Sequence, residues 1–255
     1  MINVTDGQLW NLNGLYHGVD APELEHDLAK GVEDAQRFRL NYQGKVASLN
    51  AGGLLSTIRE YEALQELLLK PQLYAHLLFA ADSEDDRHKT LSQRAMEFGN
   101  QMSRELLFFD LELMAIDDAT FATLLQLKEL SPYAHFLESV RRFKPHTLAE
   151  REEQLLKLKS LTGVDAFSRL FDELSSSYRF ELEMDGETRQ MTGEELLALV
   201  HHPDHSLRER AFSLFLDRHR ADALVYGAVF NTITLDHSQE LELRSYPSPM
   251  APTHL

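Results

Sequence analysis

The chain has 255 residues, of which 43% are apolar, so it can bury a sizeable core in one large domain or two small ones. Its formal net charge of −16 repels polyanions over most of the surface, which argues against nucleic-acid binding. Because the chain contains no cysteine, disulfides, thiolate metal sites and a cysteine nucleophile are excluded, and a reducing compartment is favoured.

The patterns in the first half of the chain predict a series of helices. Asp20-Ala-Pro-Glu23 offers a capping acceptor, a proline suited to the first turn and an acidic residue at the positive helix pole, so a helix should begin there. Apolar residues then recur on one helical face over residues 54–68, until Lys70-Pro71 predicts a break. A second helix should follow through residues 73–80. The strongest signal is residues 101–116, whose apolar stripe is too wide for one-sided packing, so this helix should be central.

Capping boxes mark three later helix starts, because each can satisfy two amides at the beginning of a helix. The boxes are Thr147–Glu150, Thr192–Glu195 and Ser206–Glu209. They predict helices over residues 148–161, 193–201 and 206–240.

A different period separates the first two of these helices. Tyr178, Phe180, Leu182 and Met184 alternate with polar residues, which is typical of a half-buried strand. Asp185-Gly186 then gives a type I′ turn signal before a second strand up to Met191. The predicted fold is therefore mainly α, a multi-helix chain with one small β-hairpin at about residues 178–191. We predict two domains, one helical over residues 1–175 and one over residues 176–255 with the hairpin and further helices.

The densest histidine group is His201-His202-Pro203-Asp204-His205. Two histidines four residues apart can bind zinc from one helical face, with a glutamate directly after the first acting as base. Here His202 occupies the place of that glutamate, and Pro203 disfavours a continuous helix. We therefore favour an interhelical loop over a zinc site.

Other polar groups carry weaker signals. A basic cluster could be an anion site, but a solvated helix end is favoured; it consists of Arg141, Arg142, Lys144 and His146. Three carboxylates could share one helix, although such residues commonly occupy a solvated face; they are Glu105, Asp110 and Glu112. Four histidines lack ligand spacing to another histidine, namely His17, His76, His135 and His219. We predict no catalytic, cofactor-binding or metal-ligating residue in this chain.

A set of short motifs runs in order through nearly the whole chain. They are Trp10-Asn-Leu, Leu15-Tyr16, Phe38–Lys45, Ile58–Glu62, Tyr74–Ala80, Leu107–Leu113, Arg141–Glu150, Leu170–Leu174, Thr192 after the hairpin, Arg208–Ala211, Asn231-Thr-Ile, Asp236 and Glu242–Tyr246. In this order they resemble the opening part of oligoendopeptidase F and its relatives among the thimet-oligopeptidase-like zinc metallopeptidases. The resemblance implies a nearly all-helical enzyme that encloses a deep channel and cuts short peptides at a zinc site inside it.

What the resemblance implies for this chain is an amino-terminal, non-catalytic part of such an enzyme. The zinc motif of the family, His-Glu-x-x-His, occurs nowhere here, and relatives continue where this sequence ends at Leu255. The chain should therefore supply part of the channel wall and limit substrate size, while zinc belongs to the complete enzyme. Its expected partners are the missing carboxy-terminal catalytic domain and oligopeptide substrates.

A second hypothesis is a stand-alone helical module that binds peptides or a protein without hydrolysis. A reading frame that continues into His-Glu-x-x-His would favour the hypothesis of an enzyme part. A stop codon after Leu255 would favour the hypothesis of a stand-alone module. Apolar surface left without the catalytic domain should promote self-association. No signal peptide or membrane-spanning stretch is evident, so we expect a soluble, cytoplasmic protein without nucleic-acid or membrane partners.

Overall fold

The structure is a computed structural model that describes residues 11–83, 85–184 and 186–255. Its helices and strands, in chain order, are α1 (Pro22–Tyr42), α2 (Ala51–Ala81), α3 (Asp86–Ala115), α4 (Asp118–Leu125), α5 (Ala134–Arg142), α6 (Glu150–Ser160), α7 (Val164–Ser176), β1 (Phe180–Met184), β2 (Glu187–Met191), α8 (Gly193–Ala198), α9 (His205–Ala221), α10 (Ala223–Leu243) and α11 (Ala251–His254). Short 3₁₀ helices lie at Val46–Ser48, Lys128–Tyr133, Lys144–His146 and Leu199–His201. The predicted fold class, mainly α with one hairpin, is confirmed.

The described residues form two compact units. One comprises the residues up to Leu161 together with Leu241–Leu255, and the other comprises Thr162–Glu240. The domain division predicted after residue 175 stays a prediction. Within the described ranges, no helix has both the length and the apolar character needed to cross a bilayer. Trp10 and Asp185, which the sequence analysis used, lie outside the described residues.

Helix α3 is the centre of the first unit, as its wide apolar stripe predicts. It packs against α1, α2, α5 and α6. The ring of Phe109 on α3 lies 5.5 Å from that of Phe38 on α1 and 4.7 Å from that of Tyr61 on α2, measured between centroids. The helix begins at Asp86, well before residue 101, because Asp85 caps it by accepting the amide of Arg87.

The predicted break at Lys70-Pro71 is wrong, since α2 continues through Pro71. A proline inside a helix removes one hydrogen bond and clashes with the preceding turn, at a cost of about 3 kcal/mol. Here Pro71 is buried on the same helix face as Leu68, Tyr74 and Ala75. Burial of this face compensates for the lost bond, so tertiary packing overrides the local signal.

The capping predictions have mixed outcomes. Thr192 and Glu195 form the predicted box, in which the Thr192 amide donates to the Glu195 carboxylate (2.8 Å) and the Glu195 amide donates to the Thr192 hydroxyl (3.3 Å). Ser206 is not a cap, because Asp204 precedes α9 and accepts the Ser206 amide (2.9 Å). Similarly, α1 is preceded by Ala21 rather than capped by Asp20, although its proline occupies the first turn as predicted.

The box predicted at Thr147 and Glu150 is also wrong. The Thr147 hydroxyl donates to the carbonyl of Lys144 (2.8 Å), and α6 begins only at Glu150. The amide of Ala149 is instead satisfied by the Glu152 carboxylate (3.0 Å). Glu150 is thereby released to accept a hydrogen bond from Gln43 of the segment after α1 (3.1 Å).

The single helix predicted over residues 206–240 is two helices that meet at Asp222. The carbonyl of Asp222 accepts the amides of Val225 (2.9 Å) and Tyr226 (3.1 Å), so a new helix starts there. Its carboxylate accepts a hydrogen bond from the hydroxyl of Tyr178 (2.6 Å) and pairs with Arg218 (2.9 Å). These contacts hold Asp222 outside helical geometry, at φ −102° and ψ 19°.

The predicted hairpin is confirmed in the second unit. Phe180 pairs with Met191 and Met184 with Glu187, so a two-residue loop joins the antiparallel strands. Gly186 in this loop has φ +81°, which favours glycine. The apolar side of the hairpin packs on α8 and α9 in a small core, whose buried residues are Tyr178, Phe180, Leu182, Leu196, Leu207 and Ala211.

The close approach of α1 to α3 gives a first prediction. A Cβ atom at Gly31 would lie 2.7 Å from Cζ of Phe98 and 2.8 Å from Sδ of Met102, whereas nothing lies within 4 Å of a Cβ at Gly227. Gly31→Ala should therefore lower the free energy of unfolding by about 1–2 kcal/mol through overpacking. Gly227→Ala should raise it by about 0.5–1 kcal/mol through helix propensity. Urea denaturation of both variants checks this, and equal changes in the two would contradict it.

Candidate functional site

The carboxyl end of α10 has a defined turn. The amide of Tyr246 donates to the carbonyl of Leu241 (2.9 Å), and that of Ser245 donates to the carbonyl of Glu242 (3.1 Å). These are the two hydrogen bonds of a Schellman motif, which requires a left-handed residue after the helix. Ser245 takes that conformation at φ 55°, in a position where glycine is usual. The turn directs Arg244 and Tyr246 towards the segment that contains His146.

Four side chains meet at this turn, namely those of His146, Glu153, Arg244 and Tyr246, which we name the Arg244 junction. The Arg244 guanidinium donates to both oxygens of Glu153, at 2.5 and 2.9 Å. It also donates to the carbonyl of His146 (3.3 Å), while Nδ1 of His146 donates to the carbonyl of Arg244 (2.9 Å). The His146 and Tyr246 rings stack with centroids 4.1 Å apart.

The electrostatics of the junction favour its ionised form. Burial opposes ionisation of Glu153, but the hydrogen bonds from Arg244 and from the Leu148 amide outweigh it, so the pKa of Glu153 lies below its ordinary value. The junction therefore contributes stability at neutral pH, and this contribution is lost as the pH falls through the lowered pKa. With their hydrogen bonds made to protein groups, these residues join two chain segments.

The basic cluster is engaged with protein groups. Arg141 donates to the carbonyl of Met114 at the end of α3 (2.6 Å) and to Asp118, and its guanidinium lies 4.8 Å from the centre of the Phe121 ring. Lys144 also donates to Asp118 (3.3 Å). Arg142 donates to the carbonyl of Leu255 (2.9 Å), and His146 is part of the Arg244 junction. These contacts favour the helix-end interpretation over an anion site.

The three carboxylates of α3 have separate structural contacts. Glu105 pairs with Arg39 of α1 (3.2 Å). Glu112 accepts the backbone amides of Gly44 (2.5 Å) and Val46 (3.1 Å), and so holds the segment that follows α1. Asp110 accepts a hydrogen bond from the Tyr61 hydroxyl (3.1 Å). Burial raises the pKa of Asp110 to about 6.

The three histidines of the densest group have different local settings. His201 ends a 3₁₀ turn, Nδ1 of His202 accepts the Asp204 amide (3.1 Å), and His205 is the first residue of α9. Among the described residues, no group of three or more histidine, aspartate or glutamate side chains could hold a metal ion.

The isolated histidines differ in their surroundings. His17 lies 2.9 Å from Glu23, and His76 and His135 are exposed. Nδ1 of His219 donates to the carbonyl of Phe215 (2.8 Å), and the ring packs against that of Phe215, with centroids 4.1 Å apart.

The second unit has a groove between α7 and α10, which no sequence pattern predicted. It encloses about 450 Å³ and is lined mainly by apolar side chains, among them Phe171, Tyr226, Val229, Phe230 and Ile233. Its signal in the sequence is the apolar run over residues 223–230, which lies inside the single helix predicted over residues 206–240.

The Arg244 junction gives a second prediction. Arg244→Met should lower the free energy of unfolding by about 3 kcal/mol, because it leaves Glu153 buried without a counterion. The double variant Arg244→Met/Glu153→Leu should recover most of this loss, because it removes the buried charge as well. Chemical denaturation at neutral pH checks both variants. A double variant as unstable as the single one would contradict the account.

Asp110 gives a third prediction. The folded protein raises the pKa of Asp110 from 3.8 to about 6. Ionisation of this buried carboxyl therefore lowers the free energy of unfolding, fully above pH 6 and not at all below pH 3.8. Asp110→Asn keeps an acceptor for Tyr61 and should raise the free energy of unfolding by about 2 kcal/mol at pH 7.5, with no gain at pH 4. Asp117→Asn is the control, because hydrogen bonds from Thr120 lower the pKa of Asp117. A gain for Asp110→Asn that did not depend on pH would contradict this prediction.

Comparisons with known proteins agree with the resemblance. Residues 112–180 match the family model described as Oligopeptidase F. Group B oligopeptidase PepB of Streptococcus agalactiae is 21% identical over 94% of this chain and 40% of its own length. Oligopeptidase PepF of Bacillus subtilis is 25% identical over 80% of this chain and 30% of its own length. This chain therefore spans less than half the length of these relatives.

The fold has a counterpart among solved structures. The crystal structure of oligoendopeptidase-F from Enterococcus faecium matches with a TM-score of 0.80 at 20% sequence identity. The match covers 91% of this chain and 46% of that chain. Sequence and fold together confirm the resemblance, and the chain is similar to the amino-terminal portion of the oligoendopeptidase F family.

Proposed function

We propose that this chain is the amino-terminal, non-catalytic part of a cytoplasmic, zinc-dependent oligoendopeptidase that hydrolyses short peptides. The observation that carries the proposal is the match over 94% of this chain to a protein named an oligopeptidase, of which it covers only 40%. The remaining length of such a relative is where we place the catalytic domain. Oligopeptides are the proposed substrates.

The role proposed for this chain is to form part of the channel wall and to limit the size of substrates. A wall needs rigid helices, and the packing of α1 and α2 on α3 supplies them in the first unit. The Arg244 junction adds a cross-link between α6 and the end of α10. Zinc is assigned to the catalytic domain, because the motif His-Glu-x-x-His of the family does not occur in this sequence.

The second candidate is a stand-alone module that binds peptides or a protein without hydrolysis. The groove between α7 and α10 favours it, because a concave apolar surface of about 450 Å³ suits apolar side chains of a ligand. The two candidates differ in whether this chain can support hydrolysis when it is joined to a catalytic portion.

A chimera tests the proposal. In the Enterococcus faecium oligoendopeptidase F, this chain would replace the amino-terminal portion that it matches. The chimera should cleave an internally quenched oligopeptide in a chelator-sensitive manner and should leave intact casein uncut, because the wall excludes large substrates. The control is the same catalytic portion without any amino-terminal part. If the folded chimera is no more active than this control, or if it cuts casein, the proposal is contradicted.

A further inference from the structure

Helix α10 carries several large apolar side chains that are exposed to solvent. Of its 21 residues, Val229 alone is buried. Large apolar side chains on it are exposed, with Leu224 at 87%, Phe230 at 69% and Leu235 at 59%. In the described structure α10 therefore has more apolar surface than its own unit covers.

The exposed surface has a concave part where α10 runs beside α7. Phe171 of α7 is 45% exposed and contacts Tyr226 of α10, with ring centroids 5.7 Å apart. These rings, together with Val229, Phe230 and Ile233, enclose the groove of about 450 Å³. Aromatic side chains around a pocket are the usual anchor points for a partner's apolar residues.

The two helices that form the groove carry more acidic than basic residues. Asp172 lines the groove, and α7 and α10 also carry Asp165, Glu173, Asp236 and Glu240 elsewhere along their length. Arg169 lies on α7 as well and pairs with Glu173 (3.8 Å). A partner with lysine or arginine beside its apolar residues would complement this charge. A second copy of this chain would instead bring two surfaces of net negative charge together.

We propose that the groove between α7 and α10 binds an amphipathic helix whose apolar face is flanked by lysine and arginine, supplied by the polypeptide that completes the peptidase. This inference rests on the proposed function, because the relatives in question are more than twice as long as the part matched here. An apolar side chain of that helix occupies the groove beside Phe230. The rest of its apolar face covers the exposed side of α10.

The test measures binding of a labelled peptide to the full chain by fluorescence anisotropy. The probe is an amphipathic leucine-lysine helix of about 18 residues, and its control has the same composition with proline at two central positions, which prevents helix formation. Two variants are matched, since each replaces an exposed apolar residue by aspartate. Phe230→Asp alters the groove, whereas Leu40→Asp alters α1, where Leu40 is 81% exposed. Circular dichroism verifies that both variants fold.

The helix should bind the wild type and Leu40→Asp alike, and binding to Phe230→Asp should be at least about tenfold weaker. The proline peptide should also bind at least about tenfold more weakly than the helix. If the helix bound both variants equally, its binding would be explained by general attraction to the acidic surface. That result would overturn the inference. If both peptides bound equally, the groove would not require a helical ligand and would accept an extended peptide. That result would also overturn the inference.

A second copy is the remaining alternative occupant. Light scattering that shows a wild-type dimer dissociated by Phe230→Asp but not by Leu40→Asp would overturn the inference in favour of self-association. A wild-type monomer, or a dimer that Phe230→Asp leaves intact, supports it together with the peptide result. The activity of the chimera does not depend on this peptide assay, so failure of the groove assignment and failure of the proposed function are separable.

Discussion

The packing of aromatic rings against α3 is the interaction on which the first unit depends. Phe108 and Phe109 are adjacent on this helix, and both rings contact that of Phe38 on α1. Such pairs contribute about 0.5–1.5 kcal/mol each beyond the burial of their area. Because neighbouring residues of a helix point in different directions, two adjacent aromatics can both be buried only if α3 is covered on several sides. The coverage of α3 by α1, α2, α5 and α6 follows from this requirement.

In the same unit, polar side chains attach segments that lie outside the apolar core, and they do so by hydrogen bonds. Glu112 fixes the backbone after α1, and Arg141 satisfies a carbonyl at the end of α3. Arg244 and Glu153 attach the segment after α10. These groups belong to motifs that carry the family resemblance, or lie next to them. A motif can thus mark a family through the contacts that maintain its fold.

The sequence predicted correctly those features that depend on residues close to one another in the chain. The apolar stripe of α3, the alternation of the hairpin and the box at Thr192 depend on residues close in sequence, and each was readable. The break at Pro71 was wrongly predicted because burial of its helix face outweighs the local cost. Asp222 divides a predicted single helix through its contact with Tyr178, 44 residues away in sequence.

The candidate site shows the same limit. His201, His202 and His205 could be assessed from their spacing, because ligand geometry on a helix is local. The Arg244 junction could not be predicted, since Arg244 and Glu153 are 91 residues apart and neither belongs to a periodic pattern. The groove depends on α7 and α10, which are separated by the hairpin, α8 and α9. The sequence shows the apolar run over residues 223–230 of α10, but not the helix that lies beside it.

The central claim is that this chain contributes structure and the chemistry lies elsewhere. The measurement that tests it most directly is an assay of the purified chain with an internally quenched oligopeptide and added zinc, with and without a chelator. The account predicts no cleavage in either condition. Cleavage that the chelator abolishes would contradict it, and His201, His202 and His205 would then have to be reconsidered as ligands.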